Sequence, residues 1–375
     1  MHYIPVSKPY FWGDELTNVT EAVTSGWISS NGKFIDEFEV KFAEAVNARF
    51  AVALNNGTSA LQLACDLIGL KRGDEVIVPD FSMIAPLFAL EYIGCVPVPI
   101  DVDDTWNMDP SLIENEITEK TKAILVVHNY GHPASMIKIA AIAKKYKLRI
   151  IEDAAEAIGA EYNGIKVGSW GDVTCYSLYA NKIITTGEGG MLTTNNEDLY
   201  NLAKFKRNMA FGSSAESRFI HKTIGYNFRL PNIQAAIGCA QIIHLEDSIK
   251  HKINIASEYS HHLKNVSGIV LPPSSRNVKN VYWVYGILIE ESYGISKNEL
   301  QTILLKKGIE TRNFFMPVHK QPFLKHISID ASKYHKSVKL AKQGIYLPSF
   351  IGLSYKEISK IADTIAEIQL KNHRI

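Results

Sequence analysis

The chain has 375 residues, 46% hydrophobic and 21% charged, and its 40 basic and 39 acidic side chains leave a formal net charge of +1. That length accommodates two domains with separate cores, and the charge balance removes any electrostatic reason to expect nucleic acid or an acidic membrane as partner. No apolar run approaches a membrane span, and the start Met1-His2-Tyr3-Ile4-Pro5 lacks the basic and apolar regions of a secretion signal, so a cytoplasmic protein is expected. Cys65, Cys95, Cys175 and Cys239 are far apart in apolar contexts, which predicts burial as free thiols rather than disulfides or a zinc site.

From about residue 50 to 195, short apolar runs alternate with helical patterns. Glu75–Pro79, Val96–Ile100, Ala123–Val127, Arg149–Ile151 and Val173–Ser177 read as strands. Between them, Ser59 to Ile68 carries Ala60, Ala64 and Ile68 on one helical face and stops at Gly69. Ser135 to Lys147 does the same with Met136, Ile139, Ala143 and Tyr146. This alternation predicts an α/β fold built on a mainly parallel sheet with helices on both faces.

A long helix is expected from Pro231-Asn232 through Ile243, then a change of character. Val281–Ile289 reads as a strand, and Ser296–Glu299 and Ser354–Glu357 each read as a capping box opening an amphipathic helix. The expected division is a large domain over residues 1–248, whose N-terminal segment packs on the small one, and a smaller α/β domain over 249–375.

Chemistry concentrates around Lys182. The stretch Tyr176-Ser177-Leu178-Tyr179-Ala180-Asn181-Lys182 leads from a strand into the glycine-rich Thr186-Gly187-Glu188-Gly189-Gly190, and the strand Ile150-Ile151 ends in Glu152-Asp153. A sheet-edge amine near a carboxylate is what pyridoxal 5'-phosphate (PLP) needs. The amine forms a Schiff base with the aldehyde, and the acid pairs with the pyridine nitrogen so that the ring becomes an electron sink. Asn56-Gly57-Thr58-Ser59, just before a helix, supplies hydroxyls and backbone N–H groups for a phosphate, and Ser177 offers another hydroxyl. Glu156, one helical turn past Asp153, can reach a ring hydroxyl. His128 with His132, and Tyr10, Phe11 and Trp12, read as structural rather than as a metal pair or a binding platform.

The segments NGTSALQLA, IEDAAEAIGA, YSLYANKIITTGEGGM and IGYNFRLPNIQAAIG resemble the DegT/StrS-type sugar aminotransferases of the fold type I PLP enzymes, and the similarity runs through nearly the whole chain. ITTGEGGM, DTWNMD, VVHNYGHP and GIETRNFFMPVH are most similar to the perosamine-forming branch. The resemblance implies that Lys182 is the Schiff-base lysine and Asp153 the acid on the pyridine nitrogen, with Glu156 beside the ring hydroxyl. It places Gly57, Thr58, Ser59 and Ser177 at the phosphate. It makes Asn227 a residue that reaches the phosphate of the neighbouring subunit, hence a homodimer with shared sites. Arg312 and His319 fall in the loop that lines the sugar-nucleotide pocket. Met83 stands where the family usually has an aromatic residue stacked on the ring, a departure a polarizable thioether can tolerate.

The implied reaction is ping-pong transamination from L-glutamate to a keto sugar, at C4 of a GDP-linked 4-keto-6-deoxy sugar, in O-antigen or other surface-glycan synthesis. Alternatives are a UDP- or dTDP-linked keto sugar or a small phosphorylated ketone as acceptor, or a non-catalytic PLP-binding regulator. Dehydratase relatives carry histidine in place of the lysine, and Lys182 argues against that chemistry.

Overall fold

The computed structural model describes residues 3–212, 214–327 and 329–372, with the backbone alone at 371 and 372; Met1 and His2 lie outside the described residues. A strand that the sequence reading did not single out, β1 (Phe50–Leu54), comes first, and four expected strands follow close to where the apolar runs place them: β2 (Glu75–Pro79), β3 (Val96–Ile100), β4 (Thr121–Val127) and β5 (Arg149–Asp153). A short pair, β6 (Glu161–Tyr162) and β7 (Ile165–Lys166), is followed by β8 (Val173–Ser177) and β9 (Gly190–Thr194). Seven of these make one sheet in the order β1-β9-β8-β5-β4-β2-β3. The pairs β8–β5, β5–β4, β4–β2 and β2–β3 are parallel, and β9 runs against both its neighbours. Alternation along β4 sends Leu125 and Val127 to one face, against Ala64 and Leu87, and Ile124 and Val126 to the other, against Met136 and Ile139. Both faces are covered, which is why the strands read as continuous apolar runs.

The helix expected from Ser59 begins two residues earlier, as Gly57–Leu67, because Asn56 caps it: Asn56 Oδ1 accepts from Ser59 N at 2.8 Å. The helix expected from residue 231 through Ile243 forms as Asn232–Ile242, and a second helix, Leu245–Leu263, follows it after His244. The domain division expected at 248/249 therefore falls inside the second. All four cysteines are buried and free.

A second sheet, ordered β10-β12-β14-β13, contains β10 (Ile269–Val270), β12 (Tyr285–Ile289), β13 (Arg312–Asn313) and β14 (Gly344–Leu347), while β11 (Val278–Lys279) joins β6 and β7. Its core takes Leu300 and Leu304 from the helix Lys297–Lys306 and Ile358, Ile361 and Ile365 from the helix Tyr355–Asn372. Both capping boxes form, with Ser296 Oγ and Ser354 Oγ each donating to its Glu partner at 2.7 Å. The N-terminal segment packs on this sheet: Ile4 bridges to Ile309, and Ser349 N donates to Val6 O. The expected strand from Val281 starts only at Tyr285. Before it, Val281 N donates to Gly131 O and Tyr282 turns to φ 46°, so the chain arches over the large sheet's edge.

Candidate active site

A cavity of about 370 Å³ opens at the C-terminal ends of the parallel strands, where ligands bind in such sheets. The large sheet brings Val127 from the end of β4, Asp153 from β5 and Ser177 from β8, with Gly57 and Thr58 at the start of the 11-residue capped helix. Register places Val127 beside Asp153 and Ser177 beside Gly190, so these side chains share one edge. Lys182 sits in the connection from β8 to β9, which is tied to itself. Leu178 N donates to Gly189 O, Thr186 N to Leu178 O, and Thr185 Oγ1 to Leu178 O at 2.9 Å. The opposite wall is Trp283, Arg312, Phe315 and Tyr346 from the second half of the chain.

The helix start is pressed against the strands. A Cβ on Gly190 would lie 2.3 Å from Asn56 O, and one on Gly57 would lie 3.0 Å from Ser177 Cβ. Glycine at both positions lets helix N–H groups and the Ser177 hydroxyl converge on one spot, an arrangement that suits an anion such as a phosphate.

Asp153 and Glu156 are each 4% exposed, and Glu156 Oε1 lies 3.9 Å from Lys182 Nζ. Burial pushes the Glu156 carboxyl up to about 7 against the pull of the Lys182 charge. Burial also raises the Asp153 carboxyl, opposed by the Ala155 N–H that donates to Oδ1 at 3.0 Å and by Lys182. Lys182 is shifted the other way: burial lowers its amine, and Glu156 and then Asp153 hold it up. An amine drawn toward neutrality beside two carboxyls is a nucleophile with proton partners, as imine chemistry requires. On the far face of the sheet, Glu152 accepts from the N–H groups of Gly168 (2.9 Å), Trp170 (2.9 Å) and Gly171 (2.6 Å). His128 Nε2 lies 3.2 Å from its carboxylate. These bonds anchor the end of β5 that presents Asp153. His128 is thus engaged by Glu152, and His132 by the Pro133 carbonyl, 2.8 Å from its Nδ1.

Of the residues singled out from the sequence, Gly57, Thr58, Met83, Asp153, Glu156, Ser177, Lys182 and Arg312 line this cavity. Ser59 is buried beside it, its N–H spent on Asn56. Asn227 is exposed outside it, on a bridge with Asn208. His319 corrects an expectation, since its ring does not line the cavity. Nδ1 lies 2.7 Å from Asp80 Oδ2, His319 N donates to Asp80 Oδ1 at 2.8 Å, and the ring stacks on Tyr334. A carboxylate buried at 0% exposure requires partners, and His319 is drawn inward to supply them. Trp283, Phe315 and Tyr346 were missed. Trp283 lay in a run read as strand, whose arch at Tyr282 has no signature in residue type.

An open helix start for a phosphate, a buried amine and a buried acid in one cavity fit PLP. A family model described as the DegT/DnrJ/EryC1/StrS aminotransferase family matches residues 11–366. The chain is 42% identical over 372 residues to GDP-perosamine synthase of Escherichia coli O157:H7, covering 98% of this chain and 99% of that one. It is 38% identical over 367 residues to GDP-perosamine synthase of Caulobacter vibrioides, covering 97% and 98%. Among solved structures, the PLP form of Spr1654 from Streptococcus pneumoniae superposes with a TM-score of 0.92 at 27% identity, over 99% of this chain and 100% of that one. The chain belongs to the DegT/DnrJ/EryC1/StrS aminotransferase family and is a PLP-dependent transaminase.

Proposed function

We propose that this transaminase moves an amino group from L-glutamate to C4 of a GDP-linked keto sugar, GDP-4-keto-6-deoxymannose, to make GDP-perosamine. The observation that carries the reading is the 42% identity to a GDP-perosamine synthase over nearly the whole of both chains. The cavity is compatible with it: Arg312 offers a cation for a diphosphate, and Phe315 and Tyr346 offer faces for a sugar or base.

Bound PLP supplies an electron sink for the carbanion that transamination passes through. In this reading Lys182 binds PLP through Nζ and, once released, carries the proton from one carbon to the other. Asp153 keeps a proton at the pyridine nitrogen, and Glu156 lies beside the ring hydroxyl. Gly57, Thr58, Ser59 and Ser177 take the phosphate, and Met83 covers one ring face. Asn227 of the partner subunit completes the phosphate site in a homodimer. Arg312 contacts the nucleotide sugar, while His319 shapes that side indirectly through Asp80. The two lobes in this reading are residues 1–248, whose N-terminal segment packs on the second sheet, and residues 249–375, with the division inside the helix Leu245–Leu263. The enzyme works in the cytoplasm, in O-antigen or related glycan synthesis.

The test is the visible spectrum of the PLP-loaded protein. L-glutamate should bleach the band, and GDP-4-keto-6-deoxymannose should restore it. Bleaching without recovery would reject the GDP sugar and turn attention to UDP- and dTDP-linked keto sugars and small phosphorylated ketones. Met83, in place of the usual aromatic, makes those the next acceptors to try. Failure to bleach would reject L-glutamate as donor.

A further inference from the structure

A transaminase lysine needs two resting places, one on the cofactor and one for the free ammonium. Glu156 is the nearest carboxylate, but at 3.9 Å it is beyond hydrogen-bond reach, and its other oxygen is taken by Tyr130 N at 2.8 Å. Closer to the amine is an aromatic face: Lys182 Nζ lies 3.7 Å from the centroid of the Trp283 ring. That is well inside the range at which a cation is attracted to a π system, and tryptophan gives the strongest such contact. Trp283 is 6% exposed, so the contact is little weakened by water.

The ring is aimed from two sides. Its Nε1 donates to Asn181 O at 2.8 Å, the carbonyl immediately before Lys182, so one bond sets the indole and the lysine in register. Its backbone is held by the turn at Gly131, where a Cβ would lie 2.8 Å from Trp283 N, and by the left-handed φ of 46° at Tyr282. A non-glycine residue in that conformation costs of order 1 kcal/mol or more and persists where the surroundings demand it. Here it turns Trp283 away from the strand path and into the cavity.

We propose that Trp283 is a catalytic residue: its indole face holds Lys182 as the ammonium while, free of the cofactor, it carries the proton, and so fixes the position from which that proton is delivered. The proposal assigns a role in the transamination to a residue of the second half of the chain. Trp283 couples the two walls of the cavity through the reacting atom itself. The other titratable and charged groups around the amine are Asp153 at the end of β5 and Glu156 after it, and Tyr179 and Glu188 from the β8–β9 connection. Arg312 and Tyr346 face it from the second sheet, and Lys8, Tyr10 and Lys252 share with it a small adjoining chamber.

The test uses the full chain freed of PLP, with wild type, Trp283→Leu and Trp283→Phe compared. Only the neutral amine attacks the PLP aldehyde, so the growth of visible absorbance on adding PLP, followed from about pH 6 to 10, reports the midpoint at which Lys182 loses its proton. Loss of the π face should shift that midpoint down by up to about one pH unit in Trp283→Leu, with Trp283→Phe in between. Under turnover kcat should fall while KM for the sugar nucleotide holds. An unchanged or raised midpoint in both variants overturns the proposal. If circular dichroism finds Trp283→Leu unfolded, Trp283→Phe decides alone: a downward shift supports the role and none rejects it. Transamination by the wild type is read separately, so failure of this proposal leaves the family assignment untouched.

Discussion

At the scale of single residues, Lys182 is placed where its loss is decisive. The amine is both the covalent attachment point and the proton carrier in the proposed mechanism, so Lys182→Ala should lower turnover by on the order of 10⁴-fold or more. The far-ultraviolet dichroism should match wild type, and PLP added to the variant should give no imine-type visible band. Substantial residual turnover would remove Lys182 from the chemistry. Lys252 presents the opposite case, a buried lysine with no carboxylate in contact among the described residues. Its Nζ donates to Ser349 O at 2.5 Å and to Ser349 Oγ at 2.6 Å, and burial drops its amine to about 7. The unfolded chain therefore holds this proton up to about pH 10.4, while the folded chain releases it near 7. Between those values the unfolded state binds more protons, so the contribution of Lys252 to stability rises with pH. Relative to Lys252→Met, the wild type should gain on the order of a few kcal/mol between about pH 7 and 10. Urea titrations of the two at several pH values measure this, and a difference that does not vary with pH would mean the amine is not desolvated.

At the scale of elements, the cavity depends on close approaches between parts distant in sequence. The helix Gly57–Leu67 reaches the sheet only because β9 begins with glycine. Gly190→Ala would drive a Cβ into the Asn56 carbonyl and push the helix start away from Ser177. The expected cost is about 1–3 kcal/mol of stability. A weaker apparent affinity for PLP, followed by fluorescence or absorbance titration, should accompany it, and unchanged affinity would show that the helix start does not hold the phosphate. The loop carrying Met83 depends on the second half of the chain in the same way. Asp80 sits three residues before Met83, and His319 supplies two of its contacts. Burial pushes the Asp80 carboxyl up to about 6, opposed by the bond from the His319 N–H and by the His319 charge. His319→Ala leaves this carboxyl buried with fewer partners and should cost about 3–5 kcal/mol. Denaturant unfolding checks the cost. KM for the nucleotide sugar should rise as well, because the wall bearing Met83 loses its brace.

At the scale of the whole molecule, the cleft lies between two sheets, and one buried cluster runs from Ala51 and Tyr176 of the large sheet to Leu288 of the second. The helix Leu245–Leu263 and the N-terminal segment join them. Asn227 is exposed and outside its own chain's cavity, as a residue serving a partner subunit would be. Mixing Lys182→Ala with Asn227→Ala tests the shared-site dimer. Each hybrid dimer would contain one site with an intact Lys182 and an intact Asn227 from the partner. Activity should therefore recover on mixing and subunit exchange, beyond the sum of the two variants alone. No recovery in demonstrated hybrids would place Asn227 outside the shared site.

The sequence by itself determined the strand and helix series, because buried parallel strands and amphipathic helices write their periods directly into residue order. It also singled out Lys182, Asp153 and Asn56–Ser59, of which Lys182, Asp153 and Asn56–Thr58 line one cavity, because a sheet-edge amine, an acid closing an apolar strand and a glycine–hydroxyl helix start are all local patterns. The tertiary structure alone decided the rest. Trp283 faces Lys182 because the chain arches at Tyr282 over the Gly131 turn. His319 turns to Asp80 because a buried carboxylate must be satisfied. Each of these rests on a contact between residues far apart in the chain, and such contacts leave no period or spacing to read.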